Sequence, residues 1–187
     1  EVKELSELAG RAAVTMRRQV EFTRQYQDVG VRSPVWQDLR EVIARALPGH
    51  GTGVKLVLDI DKVGVYADPL LERVFSNLLD NALIHGEKVT TIRFSAEVRD
   101  GALTILCEDD GIGIPAREKE RIFSPGYGRH TGYGLFLVRE ILGITGATIR
   151  ETGQEGNGAA FEITVPKDGF QVGDTPPRLP GPGTGPA

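Results

Sequence analysis

The chain has 187 residues, a formal net charge of −4, one cysteine and three histidines. That length allows one domain with an appendage and a sizeable core, and the acidic balance argues against a general nucleic-acid surface, which would be basic. Cys107 has no partner for an internal disulfide, which fits a reducing, cytoplasmic setting; no apolar run is long enough to cross a bilayer and no basic run suits docking on one.

Residues 1–33 are expected to form a long helix and a linker. Over 2–28 the sequence is rich in charge and holds Gly10 as its one helix breaker. Leu5, Leu8, Ala12, Phe22 and Tyr26, with Thr15 and Gln19 in the weaker positions, follow a rough heptad. Such a stripe suits a partner helix, or equally the surface of the chain's own domain. "VGVRSPVW" ends the helix, and Ser33 and Pro34 suggest the N-cap and first residue of a second helix over 35–47.

Residues 34–166 alternate strands and helices. "VKLVLDI" and "GVYAD" read as strands around a tight turn. A helix over 69–85 starts with Asp68 as N-cap and Pro69 as first residue, and Leu71, Val74, Phe75, Leu78 and Ala82 recur on it at three- and four-residue spacing. "TTIRFSAEV" and "ALTILCED" read as strands joined by Arg99-Asp100-Gly101, a hairpin signal. An irregular glycine-rich stretch leads to a helix over 132–144, and "ATIRET" and "AAFEITVP" add two strands. The fold class is α+β, a two-layer sandwich with a mixed sheet and helices on one face. Residues 167–187, ending "TPPRLPGPGTGPA", are too poor in apolar residues to fold alone and read as a disordered tail.

Three features carry chemistry. Asn77 and Asn81 lie one turn apart on one helix face, although asparagine is a poor helix former. "CEDDGIGIP" runs from a strand into two acids and two glycines, where a carboxylate can accept from a ligand and bare backbone can come close. "GYGRHTGYGLFLVREIL" is a glycine-rich loop entering a helix, an arrangement that offers N–H groups to an anion. Taken singly, these read as a core helix, an acidic turn and a surface loop. A calcium loop is disfavoured at the acidic turn because no glutamate follows at the required spacing.

In order and spacing the three resemble the ATP-binding catalytic domain of sensor histidine kinases, in the GHKL (Bergerat-fold) superfamily shared with the Hsp90, type II topoisomerase and MutL ATPases. "NLLDNALIHG" resembles the N box, "DDGIGIP" the G1 box, "RIF" the F box, "TGYGLFLVREI" the G2 box and "GNGAAF" the last glycine box. The segment "RRQVEFTRQYQDVGVRSPVWQDL" is similar to the second helix of a dimerisation hairpin.

The resemblance implies ATP and Mg²⁺ as cofactors, with Asn77 and Asn81 as catalytic positions. Asn81 matches the Mg²⁺ ligand and Asn77 a polar position facing the phosphates. Asp109 matches the acceptor of the adenine amino group, and Gly111 and Gly113 let backbone pass under the base. The lid spans 124–131, and Gly132 and Gly134 offer N–H groups to the phosphates. His85 and Arg129 are candidate phosphate contacts, and Ile114, Phe123, Thr131 and Leu135 complete the ATP-binding set. Several positions depart from the family's common residues: Ile84 replaces lysine, Gly126 the second phenylalanine of the F box, His130 a glycine, Ala159 a threonine and Asp110 an asparagine.

Hydrolytic relatives carry a glutamate one turn before the magnesium asparagine. Here that position is Asn77, which takes no proton at neutral pH. This points to phosphoryl transfer to a histidine, but His50, His85 and His130 all lack the helical, acid-flanked context of the family's acceptor. The acceptor is therefore expected on a dimerisation helix upstream of Glu1, in a homodimeric parent that passes phosphate to a response regulator. Two alternatives keep the same boxes: an ATP-binding scaffold without transfer activity, and an anti-sigma-type serine kinase.

Overall fold

The computed structural model describes residues 10, 16, 20, 22–24, 26–47, 53–127 and 132–173. The described residues of the N-terminal segment up to Gln27 are helical. In chain order there follow β1 (Val35–Asp38), α1 (Leu39–Ala46), β2 (Lys55–Asp59), β3 (Val63–Ala67), α2 (Leu71–His85), β4 (Thr91–Arg99) and β5 (Ala102–Asp109). A 3-10 turn (Arg121–Phe123) precedes α3 (Gly134–Gly143), β6 (Thr148–Glu151) and β7 (Ala160–Val165), and a second 3-10 turn (Lys167–Gly169) leads into β8 (Phe170–Val172).

The larger sheet has strand order β2-β4-β5-β7-β6. β2 and β4 run parallel and the other pairs antiparallel, so the sheet is mixed. The β4–β5 hairpin closes where expected. Asp100 (φ 51°) and Gly101 (φ 79°) both take the left-handed backbone that a tight two-residue hairpin turn requires. Phe94, Cys107 and Phe161 stand side by side across three strands, and all three are buried. Phe94 receives Phe75 of α2 edge-on at 5.9 Å, which places the helices on this face. α2 inserts Leu71, Val74, Phe75, Leu78, Leu79 and Ala82, each large side chain contributing about 1.5–3 kcal/mol. The alternate residues Ser95, Leu106 and Glu162 lie on the opposite face. The α+β sandwich with a mixed sheet and helices on one face is the fold observed.

Three elements differ from the expectation. Residues 35–38 are strand β1, and the helix starts only after it. Val35 and Trp36 favour extended backbone, and Asp38 caps α1 by accepting from the Glu41 N–H at 2.9 Å. β2 and β3 do not pair with each other: β2 joins the large sheet, while β3 lies between β1 and β8 in a three-stranded sheet. Finally, β8 and the 3-10 turn before it fall inside the stretch expected to be a disordered tail. Phe170 opposite Val65 gives that stretch an apolar anchor; residues 174–187 lie outside the described residues.

α2 starts at Leu71 with Leu70 as its N-cap residue, not at Pro69 with Asp68 as cap, and Asp68 lies in the turn before it. Its Oδ1 accepts from Leu70 N–H at 2.8 Å, one residue before the helix proper. It is 1% exposed, and its Oδ2 accepts from Gly30 N–H at 3.1 Å, which ties down the turn after the N-terminal helix. Farther up that helix, Phe22 stacks on Tyr133 at 4.0 Å and Tyr26 on Phe136 at 6.0 Å. This end of the heptad stripe therefore lies on the chain's own domain, while Met16 and Val20 are 65% and 69% exposed. The upper stripe positions 5, 8, 12, 15 and 19 lie outside the described residues.

Candidate functional site

α2 meets the turn after β5 at its C-terminal end, through Gly86 and Gly111, and the N-terminus of α3 near its middle, through Asn77 and Gly134. Asn77 and Asn81 sit half-buried on α2, beside its apolar face. The Asn77 amide donates to the Arg73 carbonyl at 2.8 Å, so the side chain is held along its own helix. Its oxygen points at Gly134, the first residue of α3: a Cβ on Gly134 would lie 2.9 Å from it. Glycine at that position lets the two helices meet. Tyr133, the N-cap residue of α3, makes no side-chain cap hydrogen bond; the first N–H groups of a helix are where an anion binds.

Asp109 ends β5. Its Oδ1 accepts from Gly111 N–H at 2.9 Å and Ala159 N–H at 3.2 Å. Burial pushes its carboxyl above the ordinary aspartate range; these two hydrogen bonds oppose the shift, and the charges of Asp110 and Glu151 reinforce it. Asp110, its neighbour, turns the other way. It accepts from Thr90 Oγ1 and from the N–H groups of Thr90 and Thr91, which lower its carboxyl to about 2. One acid thus holds its own turn and Ala159, while the other fastens the segment that leads from α2 into β4.

The glycines mark close approaches. A Cβ at Gly111 would lie 2.6 Å from the Gly86 carbonyl, and one at Gly113 (φ +71°) 2.6 Å from that of Gln154. At the foot of the lid, Gly126 N–H donates to the Gly132 carbonyl at 2.9 Å. That bond pinches together the ends of the segment holding residues 128–131. Arg129, His130 and Thr131 lie outside the described residues.

Phe123, expected among the ATP contacts, is 4% exposed and packs edge-on against Phe161 at 6.4 Å, so it anchors the lid in the core. Ile114 and Leu135 are half-buried and pack on the same core. His85 and Ile84 are exposed at the C-terminal end of α2. Two groups were missed in the sequence. Gly158 (φ +94°) passes so near Asp109 that a Cβ there would lie 1.8 Å from its carbonyl oxygen. The buried Glu151 and the half-buried Lys119 form an ion pair at 2.8 Å. The "GNGAAF" box signalled the first; nothing in the sequence linked the two halves of the second.

Among the described residues no group of three or more His, Cys, Asp and Glu could hold a metal. A single neutral amide such as Asn81 suits an ion that keeps its waters and binds phosphate oxygens, which is the habit of Mg²⁺. Among the same residues no helix is long and apolar enough to cross a membrane.

A mixed sheet backed by helices, with an acid-glycine turn and an uncapped helix facing paired asparagines, defines a nucleotide-binding domain of the sensor-kinase type. The chain belongs to the histidine kinase-, DNA gyrase B- and HSP90-like ATPase family, whose model matches residues 67–169. It is 31% identical over 148 residues to the sensor protein KdpD of Escherichia coli (strain K12), a match covering 71% of this chain and 16% of KdpD. The alginate biosynthesis sensor protein KinB of Pseudomonas aeruginosa is 39% identical over 101 residues, 51% of this chain and 17% of KinB. Among solved structures, the nucleotide-free catalytic domain of histidine kinase ThkA superposes with a TM-score of 0.63 at 26% identity, covering 73% of this chain and 97% of that one. Full-length ShkA in complex with AMPPNP shares the fold with a TM-score of 0.70 at 20% identity, covering 92% of this chain and 38% of that one. The match thus spans under a fifth of the length of the two curated relatives.

Proposed function

We propose that this chain binds ATP with Mg²⁺ and donates the γ-phosphate to a histidine on a dimerisation helix of its parent protein, a homodimeric sensor kinase that passes the phosphate to a response regulator. The observation that carries the reading is that α2 joins the two glycine features: Asn77 on it meets Gly134 at the start of α3, and Gly86 at its C-terminal end meets Gly111 in the turn that Asp109 holds. Asp109 accepts from the adenine amino group. Gly111 and Gly113 give the base its clearance, with Ile114 and Leu135 as apolar neighbours. Gly132, Gly134 and the first turn of α3 take the phosphates, with Asn77 beside them and His85, Arg129 and Thr131 as further candidates at the rim and lid.

Asn81 would hold Mg²⁺, which when bound draws charge off the phosphate oxygens. An acceptor imidazole nitrogen attacks the γ-phosphorus as the bond to the β–γ bridging oxygen breaks, and ADP leaves. The protein's part is positioning. Asn77, one turn before Asn81, supplies no base to activate water, which favours transfer over hydrolysis. His85 ends α2 rather than standing within a helix beside an acid, so the acceptor is assigned to a helix outside this chain. Residues 1–33 would then be the second helix of the dimerisation hairpin with its linker, 34–166 the catalytic domain, and the segment beyond 173 a tail. This segment makes no direct contact with nucleic acid or membrane in this reading, and it works on the cytoplasmic side.

The test is incubation with γ-labelled ATP, Mg²⁺ and the parent's histidine-bearing dimerisation region. Acid-labile, alkali-stable label on that region is expected. Bound ATP without transfer indicates a silent scaffold, acid-stable label on serine a serine kinase, and rapid release of free phosphate a hydrolase; any of these overturns the proposal.

A further inference from the structure

A carboxylate out of reach of water must be paired or hydrogen-bonded on every side. The Glu151 side chain is fully buried, with its Oε1 hydrogen-bonded twice and its Oε2 held by an ion pair alone, without a hydrogen bond among the described residues. Its Oε1 accepts from Gly153 N–H at 2.9 Å and Ala160 N–H at 3.1 Å, while Oε2 lies 2.8 Å from Lys119 Nζ. The same ammonium donates to the Gly153 carbonyl. Lys119 comes from the segment between the acid-glycine turn and the lid, so one cation joins that segment to the loop between β6 and β7.

That loop, residues 152–159, braces Asp109. Ala159 N–H donates to Asp109 Oδ1, Asp109 N–H donates to the Ala159 carbonyl at 3.0 Å, and Gly156 N–H donates to the Ile112 carbonyl at 2.7 Å. Gly153 has no room for a side chain between Glu151 Oε1 and the Gly158 carbonyl, and Gly158 has none against Asp109. A shift of the loop therefore moves Asp109 directly.

We propose that Lys119 and Glu151 are positioning residues for nucleobase choice: their ion pair fixes the 152–159 loop and so aims Asp109 at the adenine amino group. This rests on the nucleotide-site reading above. Guanine presents a carbonyl where adenine presents its amino group. A correctly aimed Asp109 therefore favours ATP over GTP, and a loosened one loses that preference while phosphate binding persists.

Wild type, Lys119→Arg, Lys119→Met and Lys119→Met/Glu151→Gln are titrated with ATP-Mg²⁺ and GTP-Mg²⁺ by calorimetry, with thermal melts to establish folding. The double variant removes both charges, so it keeps the test alive where Lys119→Met alone does not fold, and its amide oxygen still accepts from Gly153 and Ala160. Wild type should prefer ATP. In Lys119→Met and the double variant that preference should fall about tenfold, with GTP affinity within about twofold of wild type, and Lys119→Arg should restore most of it. A folded variant with the wild-type ATP/GTP ratio, or equal weakening of both nucleotides, overturns the proposal. Wild type binding neither nucleotide overturns the site reading and this proposal with it.

Discussion

Gly158→Ala isolates the backbone contact on which the base site depends. Gly158 has φ +94° and Gly156, two residues earlier in the same loop, φ +89°. An L residue at either position carries a similar strain of about 1–3 kcal/mol. The surroundings differ: nothing lies within 4 Å of a Cβ at Gly156, whereas one at Gly158 would stand 1.8 Å from the Asp109 carbonyl oxygen. Restoring ordinary contact at 3.4 Å takes a displacement of about 1.6 Å. The Ala159–Asp109 bond is already 3.2 Å long and does not survive such a shift. Asp109 then misses its ligand as well. A lost hydrogen bond to a charged group costs about 1.5–3 kcal/mol, or about 10- to 150-fold in affinity. Calorimetric titration with ATP-Mg²⁺, beside melting curves, should show Gly158→Ala at least about tenfold weaker than Gly156→Ala. Equal affinities in the two folded variants would refute the reasoning.

Three further outcomes follow from the site. Asn81→Ala should abolish the gain in ATP affinity that Mg²⁺ confers while leaving metal-free binding intact. Loss of mere outer-shell partners already costs about 10–100-fold in metal affinity, so a persisting Mg²⁺ effect removes Asn81 from the role. Asp109→Asn should weaken ATP more than GTP and yet raise the melting temperature of the nucleotide-free chain at pH 7. Because burial raises this carboxyl, its folded-state preference for the proton adds stability below the ordinary aspartate range and loses it as pH rises through the raised value. A lower melting temperature would contradict the shift. Phe22→Ala removes a stack on Tyr133 worth about 0.5–1.5 kcal/mol, and faster hydrogen exchange at the first turn of α3 is the expected sign; unchanged exchange and melting would sink it.

The parts legible in the sequence were those whose cause is local. The apolar spacing of α2 and the Asp100-Gly101 turn are set by neighbours in the chain, and both stand as read. The Asn77/Asn81 face and the acid-glycine turn are likewise short-range patterns, and the fold sets Asn77 against the first residue of α3 and Gly111 against the end of α2. What escaped depends on distant partners. "SPVW" carries a helix-start signal, but antiparallel pairing with β3 makes Val35–Asp38 a strand. The turn between β2 and β3 resembles a hairpin turn, yet β2 pairs with β4, over thirty residues on. Phe170 reads as part of a tail that starts at Lys167 until Val65 supplies a strand to join. Lys119 and Glu151 look like two unrelated surface charges in the sequence, and only the fold buries the glutamate and brings the lysine to it.

The most direct measurement is titration of the isotopically labelled chain with ATP and Mg²⁺, followed by backbone amide shifts. The account predicts changes concentrated at Asn77, Asn81, residues 109–113 and residues 132–135. It predicts none at the concavity of about 320 Å³ on the opposite face of the sheet, lined by Asp59, Ser95, Glu97, Thr104 and Glu162. Shifts centred on that opposite face, or no shifts at saturating nucleotide, would contradict it.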